Sequence, residues 1–203
     1  MREVVMLHVK INSSLLRREL RWCVDAQLPL GGCHRLCGKN GVGKTTFLEE
    51  LKLHWPKLFP TTLLGFCDQL ALTPFQELTV MQVADILWDA TPLRHEAKHW
   101  RELTWWQDQV VQSWLTRKVA QLSGGENQWL KILLMRSIKS DVWLLDEPFQ
   151  SLDQLRQDEL WGLLENQPRT IIIVHHGPIQ MSSPITNWEL LVKSDGLSLE
   201  KAP

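Results

Sequence analysis

The eight residues Gly38-Lys39-Asn40-Gly41-Val42-Gly43-Lys44-Thr45 restrict the fold of this 203-residue chain more than any other segment. They fit G-x-x-x-x-G-K-[ST], a pattern with physical meaning only between a buried strand and a helix. Both flanks comply. CHRLCG (33–38) reads as a short buried strand, and the residues from Thr45 to Trp55 read as a helix that stops before Pro56. Glycines in such a loop allow turns closed to side chains, so that successive N–H groups point at phosphate oxygens. The helix adds its partial positive end. Lys44 places a point charge against the β- and γ-phosphates, and Thr45 offers a hydroxyl to Mg²⁺. The loop residues Gly38, Lys39, Asn40, Gly41, Val42, Gly43, Lys44 and Thr45, with Thr46 next to them, are the candidate nucleotide-binding set.

Around this loop the chain alternates apolar runs with helical patterns, which predicts an α/β layer architecture with a mainly parallel sheet. Strands are expected at 4–11, 20–28, 62–67, 142–146 and 170–175, with helices at 124–138 and 152–165. NWELLVK and GLSLEK flank Ser194-Asp195-Gly196, a hairpin signal. From 78 to 118 the pattern is helical throughout, with Trp100, Leu103, Trp106 or Gln107, Val110 and Trp114 on one face.

A phosphate loop needs a second carboxylate for its metal. Asp146 and Glu147 close the apolar run VWLLD, and a buried strand there delivers them to the carboxyl edge of the sheet, where ligands of such sheets bind. Asp146 is the expected metal support, and Glu147 the group that orients or deprotonates an attacking water.

Composition narrows the remaining choices. A formal charge of -1 argues against a strongly basic nucleic-acid module, so no nucleic acid is expected as a partner. No apolar run reaches 18 residues, and the first ten lack the pattern of a signal peptide, so a cytoplasmic location is expected. Cys23, Cys33, Cys37 and Cys67 match no strong zinc spacing and read as buried thiols.

Four further segments make a specific resemblance. Leu122-Ser123-Gly124-Gly125-Glu126 resembles the LSGGQ signature of ABC-type ATPases, with Glu126 in place of the final Gln. Asp146-Glu147-Pro148 followed by Ser151-Leu152-Asp153 is similar to that family's metal strand and D-loop, and Gln69 and His176 occupy positions like its Q-loop glutamine and switch histidine. The resemblance covers roughly residues 5 to 190. It implies a P-loop core (about 1–72 and 123–203), a helical subdomain inserted at about 73–122, and one nucleotide-binding domain in all. Because Lys44 and Gln69 are only 25 positions apart, the family's antiparallel β-subdomain should be reduced here.

The resemblance further implies ATP and Mg²⁺ as cofactors and a head-to-tail homodimer enclosing two ATPs. Each ATP would meet one protomer's P-loop and the other's Ser123, Gly124, Gly125 and Glu126. Gln69 would contact the metal, His176 the γ-phosphate, and Asp153 would reach across the dimer. A single short domain of this kind looks like the ATP-hydrolysing motor of a transporter, peripheral on the membrane and driving a separate permease. A soluble ABC ATPase in a non-transport assembly complex is the alternative. Residues 1 to 21 hold no aromatic, so the adenine platform falls to Trp22, Arg17 or Arg18. Trp129 replaces an arginine common after the signature, and Gly177 stands where the family often has an acid. The tryptophans of 88–114 have two readings, a dock for a permease helix or the subdomain's own core.

Overall fold

Two segments in which every residue is buried organise the molecule: β5 (Val142–Asp146) and β6 (Thr170–Val174). A strand can be buried throughout only when both faces of its sheet are covered. The computed structural model, which describes residues 6–13, 22–29, 31–67, 72–90, 99–165, 169–193 and 196–202, shows how this is done. Six strands lie in the order β4 (Leu64–Cys67), β5, β6, β3 (Gly32–Cys37), β7 (Ile185–Lys193), β8 (Gly196–Lys201). All neighbours are parallel except β7 and β8, the expected hairpin pair.

Side-chain alternation along these strands divides the core in two. Trp143, Leu145, Ile171 and Ile173 face one layer, which α4 (Gly124–Ser137) and α5 (Gln154–Glu165) complete. Val142, Leu144, Ile172 and Val174 face the other, which receives Phe47, Leu48, Leu51 and Trp55 of α1 (Lys44–Leu58). Among the described residues the antiparallel lobe is reduced to β1 (Met6–Ser13) paired with β2 (Trp22–Pro29).

Helix α1 does not stop before Pro56; it runs two residues past it. One proline near the end removes a single backbone bond. Here the last turn is held from outside. The buried Trp55 donates its indole N–H to the Thr62 carbonyl at 2.9 Å, and its ring lies 4.6 Å from that of Phe59. The Phe59 N–H closes the turn on the Trp55 carbonyl.

The stretch 78–118 is not continuous helix either. Among its described residues, α2 (Val80–Ala90) is followed by turns at 100–102 and 104–106 and by the short α3 (Gln109–Trp114). Trp100, Leu103, Trp106 and Trp114 are buried as the spacing predicts, but Val110 is 51% exposed and Val111 fully buried in its place. The reason is a restart. Asp108 caps α3, accepting the N–H groups of Val110 and Val111, and so resets the helical phase by one position.

The tryptophans fill their own lobe rather than a surface. Trp100 meets Trp106 edge-on at 4.8 Å. The Ser137 hydroxyl of α4 accepts indole N–H groups from Trp106 at 2.8 Å and Trp105 at 3.2 Å, and donates to the Leu133 carbonyl. Trp100 donates to Asp85. Cys33 and Cys67 are buried thiols as expected, and burial pushes Cys33 up to about 12, whereas Cys37 is only half-buried and the side chain of Cys23 lies outside the described residues.

The phase shift is open to a direct test. Val111→Ala removes two buried methyl groups and is expected to lower stability by about 1.5–3 kcal/mol. Val110→Ala should stay within about 0.5 kcal/mol. Urea unfolding of the two variants checks this, and equal effects would mean the restart at Asp108 is wrong.

Candidate nucleotide site

Strand register assembles the candidate site. Leu36 of β3 pairs with Val174 of β6, and Val174 with Asp146 of β5. All three run parallel, so the chain leaves each at the same carboxyl edge. There the loop 38–43, Glu147 and His175-His176 follow directly.

The loop has the geometry its sequence predicts. Gly38, Gly41 and Gly43 take φ of 140°, 75° and 103°. A Cβ on Gly38 would lie 2.9 Å from the Leu190 carbonyl oxygen, whereas Gly41 faces open space. Gly43 precedes α1 in a left-handed conformation with no side chain capping the helix, which leaves the first N–H groups for a ligand. Lys44 is buried, and its Nζ donates back to the Gly38 carbonyl at 2.9 Å and the Lys39 carbonyl at 3.1 Å. The ammonium therefore sits across the mouth of the loop. Lys39, Asn40, Gly41 and Thr45 are exposed, and Val42 and Thr46 half-buried.

Asp146 is 2% exposed at the end of β5. Glu147, next to it, has a φ of 47°, unusual for a residue with a side chain, and its N–H is tied to the Val174 carbonyl at 2.9 Å. Its carboxylate is flanked by both histidines: His176 Nε2 lies 3.2 Å from Oε1, and His175 Nδ1 lies 3.8 Å from Oε2. Strand alternation predicts opposite faces for the two rings. It does not apply, because β6 ends at Val174 and the following residues are irregular.

Arg35 was not singled out by its motif, although a charge inside the buried run CHRLC was a signal. Its guanidinium crosses from β3 to donate to the carbonyls of His175 at 2.9 Å and Gly177 at 3.3 Å, fixing the histidine loop. Gln69 lies outside the described residues, as do Arg17 and Arg18 and the side chain of Trp22.

The signature opens α4. Ser123 and Glu126 form a reciprocal capping box: the Glu126 N–H donates to Ser123 Oγ, and the Ser123 N–H to Glu126 Oε2 at 2.7 Å. Arg117 holds Glu126 by an ion pair at 2.8 Å. Gly125 is there for close approach, since a Cβ would fall 2.6 Å from the Ser151 carbonyl oxygen of the D-loop; at Gly124 the nearest atom is 3.6 Å away. Asp153 is exposed and accepts the Arg156 N–H, starting α5. Thus the structure brings the P-loop, Asp146, Glu147 and His176 to one edge, and sets the signature against the D-loop. Ser123, Gly124 and Asp153 face solvent.

No family model matches the chain. It is 34% identical over 172 residues to the thiamine import ATP-binding protein ThiQ of Vibrio cholerae, a match covering 75% of this chain and 72% of that one. It is 24% identical over 184 residues to the zinc transport system ATP-binding protein TroB of Treponema pallidum, covering 79% and 68%. A match at 28% identity to the erythromycin resistance ATP-binding protein MsrA of Staphylococcus epidermidis covers 75% of this chain but 30% of that one. Among solved structures, an ATP-binding subunit of an ABC transporter superposes with a TM-score of 0.63 at 19% identity over 84% of this chain and 80% of that chain. The archaeal ribosome recycling factor aABCE1 superposes at 0.67 and 19%, over 98% and 40%. The two structural matches speak for the fold alone. The sequence relatives place the chain in a class, the nucleotide-binding subunits with a P-loop α/β core. It belongs to the ABC family of ATPases.

Two outcomes follow from the signature's geometry. Gly125→Ala is expected to lower stability by about 1–3 kcal/mol, because backbone must move, while Gly124→Ala has room for its methyl. Matching melting temperatures for the pair would refute the close approach. Glu126 bears on pH. The Arg117 hydrogen bond, aided by Ser123 against the opposing effect of burial, holds its carboxyl below the usual range. Such a group adds stability above its unfolded pKa of about 4.3, and loses it as pH falls through the lower folded value. Glu126→Gln keeps the capping box but not the charge, so the acid limb of a Tm-against-pH curve should flatten.

Proposed function

We propose that this chain is the ATP-binding and hydrolysing motor subunit of a membrane ABC transporter. Two copies close head-to-tail on two Mg-ATP, and the closure drives a separate permease at the cytoplasmic face. The observation that carries the reading is the single sheet edge at which an uncapped helix start, a buried aspartate and a histidine-flanked glutamate follow three parallel, register-matched strands.

The residues fit the cofactors. The α1 start, with Gly41 open to solvent and Lys44 already bridging the loop, suits a triphosphate. A magnesium ion would arrive on the phosphate oxygens of the nucleotide. Thr45 and Asp146 would hold it, with Gln69. Bound magnesium would neutralise phosphate charge. Lys44 and the loop N–H groups orient the chain of phosphates. Glu147 holds a water and takes up its proton, and His176 turns to the terminal phosphate. Ser123 and the N–H groups of Gly124 and Gly125, all at one helix start, serve the partner's nucleotide, with Asp153 beside them.

In this reading the core comprises about 1–72 and 123–203, and the lobe at about 73–122 meets the permease. Among the described residues no helix is long and apolar enough to cross a membrane.

Glu147→Gln should lower kcat by about 10²- to 10⁴-fold while Mg-ATP still binds. The same variant should dimerise with Mg-ATP but not with Mg-ADP, as read by light scattering. Unchanged turnover in Glu147→Gln, or a monomer under both nucleotides, would end the motor reading. Purification with a multi-span membrane protein supports the transporter; recovery only in a soluble complex assigns the chain to an assembly ATPase instead.

A further inference from the structure

We infer that His175 is a positioning residue for Glu147, holding the carboxylate through its Nδ1 while the neighbouring His176 is free to engage nucleotide. The inference rests on the assignment of Glu147 as the water-orienting group.

The two histidines differ in every respect but their neighbour. His176 is 54% exposed and binds Glu147 Oε1 at 3.2 Å. His175 is 13% exposed, and its Nδ1 is buried with no hydrogen-bond partner. A buried ring nitrogen left unpaired carries a free-energy cost, so an adjacent acceptor matters. The nearest carboxylate oxygen is Glu147 Oε2 at 3.8 Å. That is too long for a hydrogen bond, but contacts of this kind are often loose before substrate binds. A small rotation of the carboxylate closes it.

The ring is fixed from every other side. Phe149 and Trp161 stack at 4.1 Å, and the His175 ring sits 4.8 Å from the first and 5.7 Å edge-on from the second. Arg35 clamps the backbone carbonyls of residues 175 and 177. On the remaining side, Gly177 makes the space. A Cβ there would fall 2.6 Å from His175 Nε2 and 2.8 Å from Cε1. The absent side chain at 177 and the ring at 175 are thus one feature: the imidazole occupies the volume that any other residue at 177 would take.

This arrangement divides the work. If His176 leaves Glu147 for a terminal phosphate, the carboxylate loses its 3.2 Å partner. His175 cannot follow, being packed between two aromatic rings and a clamped loop. It is the group that remains to hold Oε2.

Two variants separate hydrogen bonding from packing. In His175→Asn the amide nitrogen takes the place of Nδ1 but the aromatic slot is left unfilled. In His175→Phe the slot is filled and no donor remains. The expected result is a kcat about ten- to a hundredfold lower for Phe, with KM for Mg-ATP unchanged, and a kcat for Asn close to the parent. Gly177→Ala should resemble Phe alone and be nearly silent beside His175→Asn. The reverse order, or equal losses in Phe and Asn, overturns the inference. A readout that needs no turnover runs in parallel. In ¹⁵N NMR of the resting protein, His175 is expected to carry its proton on Nδ1, with a resonance that moves in Glu147→Gln. An Nε2 proton indifferent to that substitution also overturns it. A parent protein without ATPase activity strikes the assignment of Glu147, whereas the NMR result judges the contact itself.

Discussion

Register between three parallel strands is the constraint on which the rest depends. Leu36, Val174 and Asp146 are neighbours across β3, β6 and β5. A slip of one residue in β5 or β6 would send each side chain to the wrong core layer and move the following loop along the edge. Burial enforces the register, because every position of β5 and β6 is covered and each side chain must meet its own layer. The chemistry at the edge is therefore placed by hydrophobic packing several residues away. Glu147 stands beside the histidine loop because Val142, Leu144, Ile172 and Val174 share the layer under α1.

The helical lobe is built on a different principle. Its described segments are short and irregular, and indole rings compensate for the lack of long helices. Trp88, Trp100, Trp106 and Trp114 bury large areas, and their N–H groups find acceptors where these are described, at Asp85 and at Ser137 of α4. Ser137 joins the lobe to the helix whose other end carries the signature. A displacement of the lobe would thus be felt along α4.

Much of this was legible in the chain, because local chemistry and global fold agree there. The phosphate loop, the buried VWLLD and TIIIV strands and the C-terminal hairpin follow from short-range patterns that packing reinforces, whereas the reduced antiparallel lobe was implied by the family resemblance. What failed did so where a tertiary contact overrode a local rule. The helix passes Pro56 because Trp55 and Phe59 anchor the turn. Val111 replaces Val110 inside because Asp108 restarts the helix. Both histidines reach Glu147 because the strand ends one residue before them. The partners of Arg35 and of Gly125 lie far along the chain and could not be read locally, and the service of Gly177 to His175 depends on the turn that follows β6.

Glycine at 125 and 177 acts by absence, and the consequence is mechanical. Residues 147–151 contain two positive-φ positions with side chains, Glu147 at 47° and Ser151 at 65°. Such conformations persist only when the surroundings over-determine them. Here the Glu147 N–H is tied to β6, the Pro148 carbonyl accepts from the buried Gln128 of α4, and Phe149 stacks on Trp161 of α5. Ser151 lies against Gly125 with no room for a methyl group. The segment between β5 and α5 is therefore clamped from the sheet and from both helices. A force that shifts the start of α4 is transmitted to Ser151 by contact, and from there along a strained backbone to Glu147. The start of α4 and Glu147 are thus joined through one clamped segment, by the approach of Ser151 to Gly125 and by the hydrogen bond from Gln128 to Pro148.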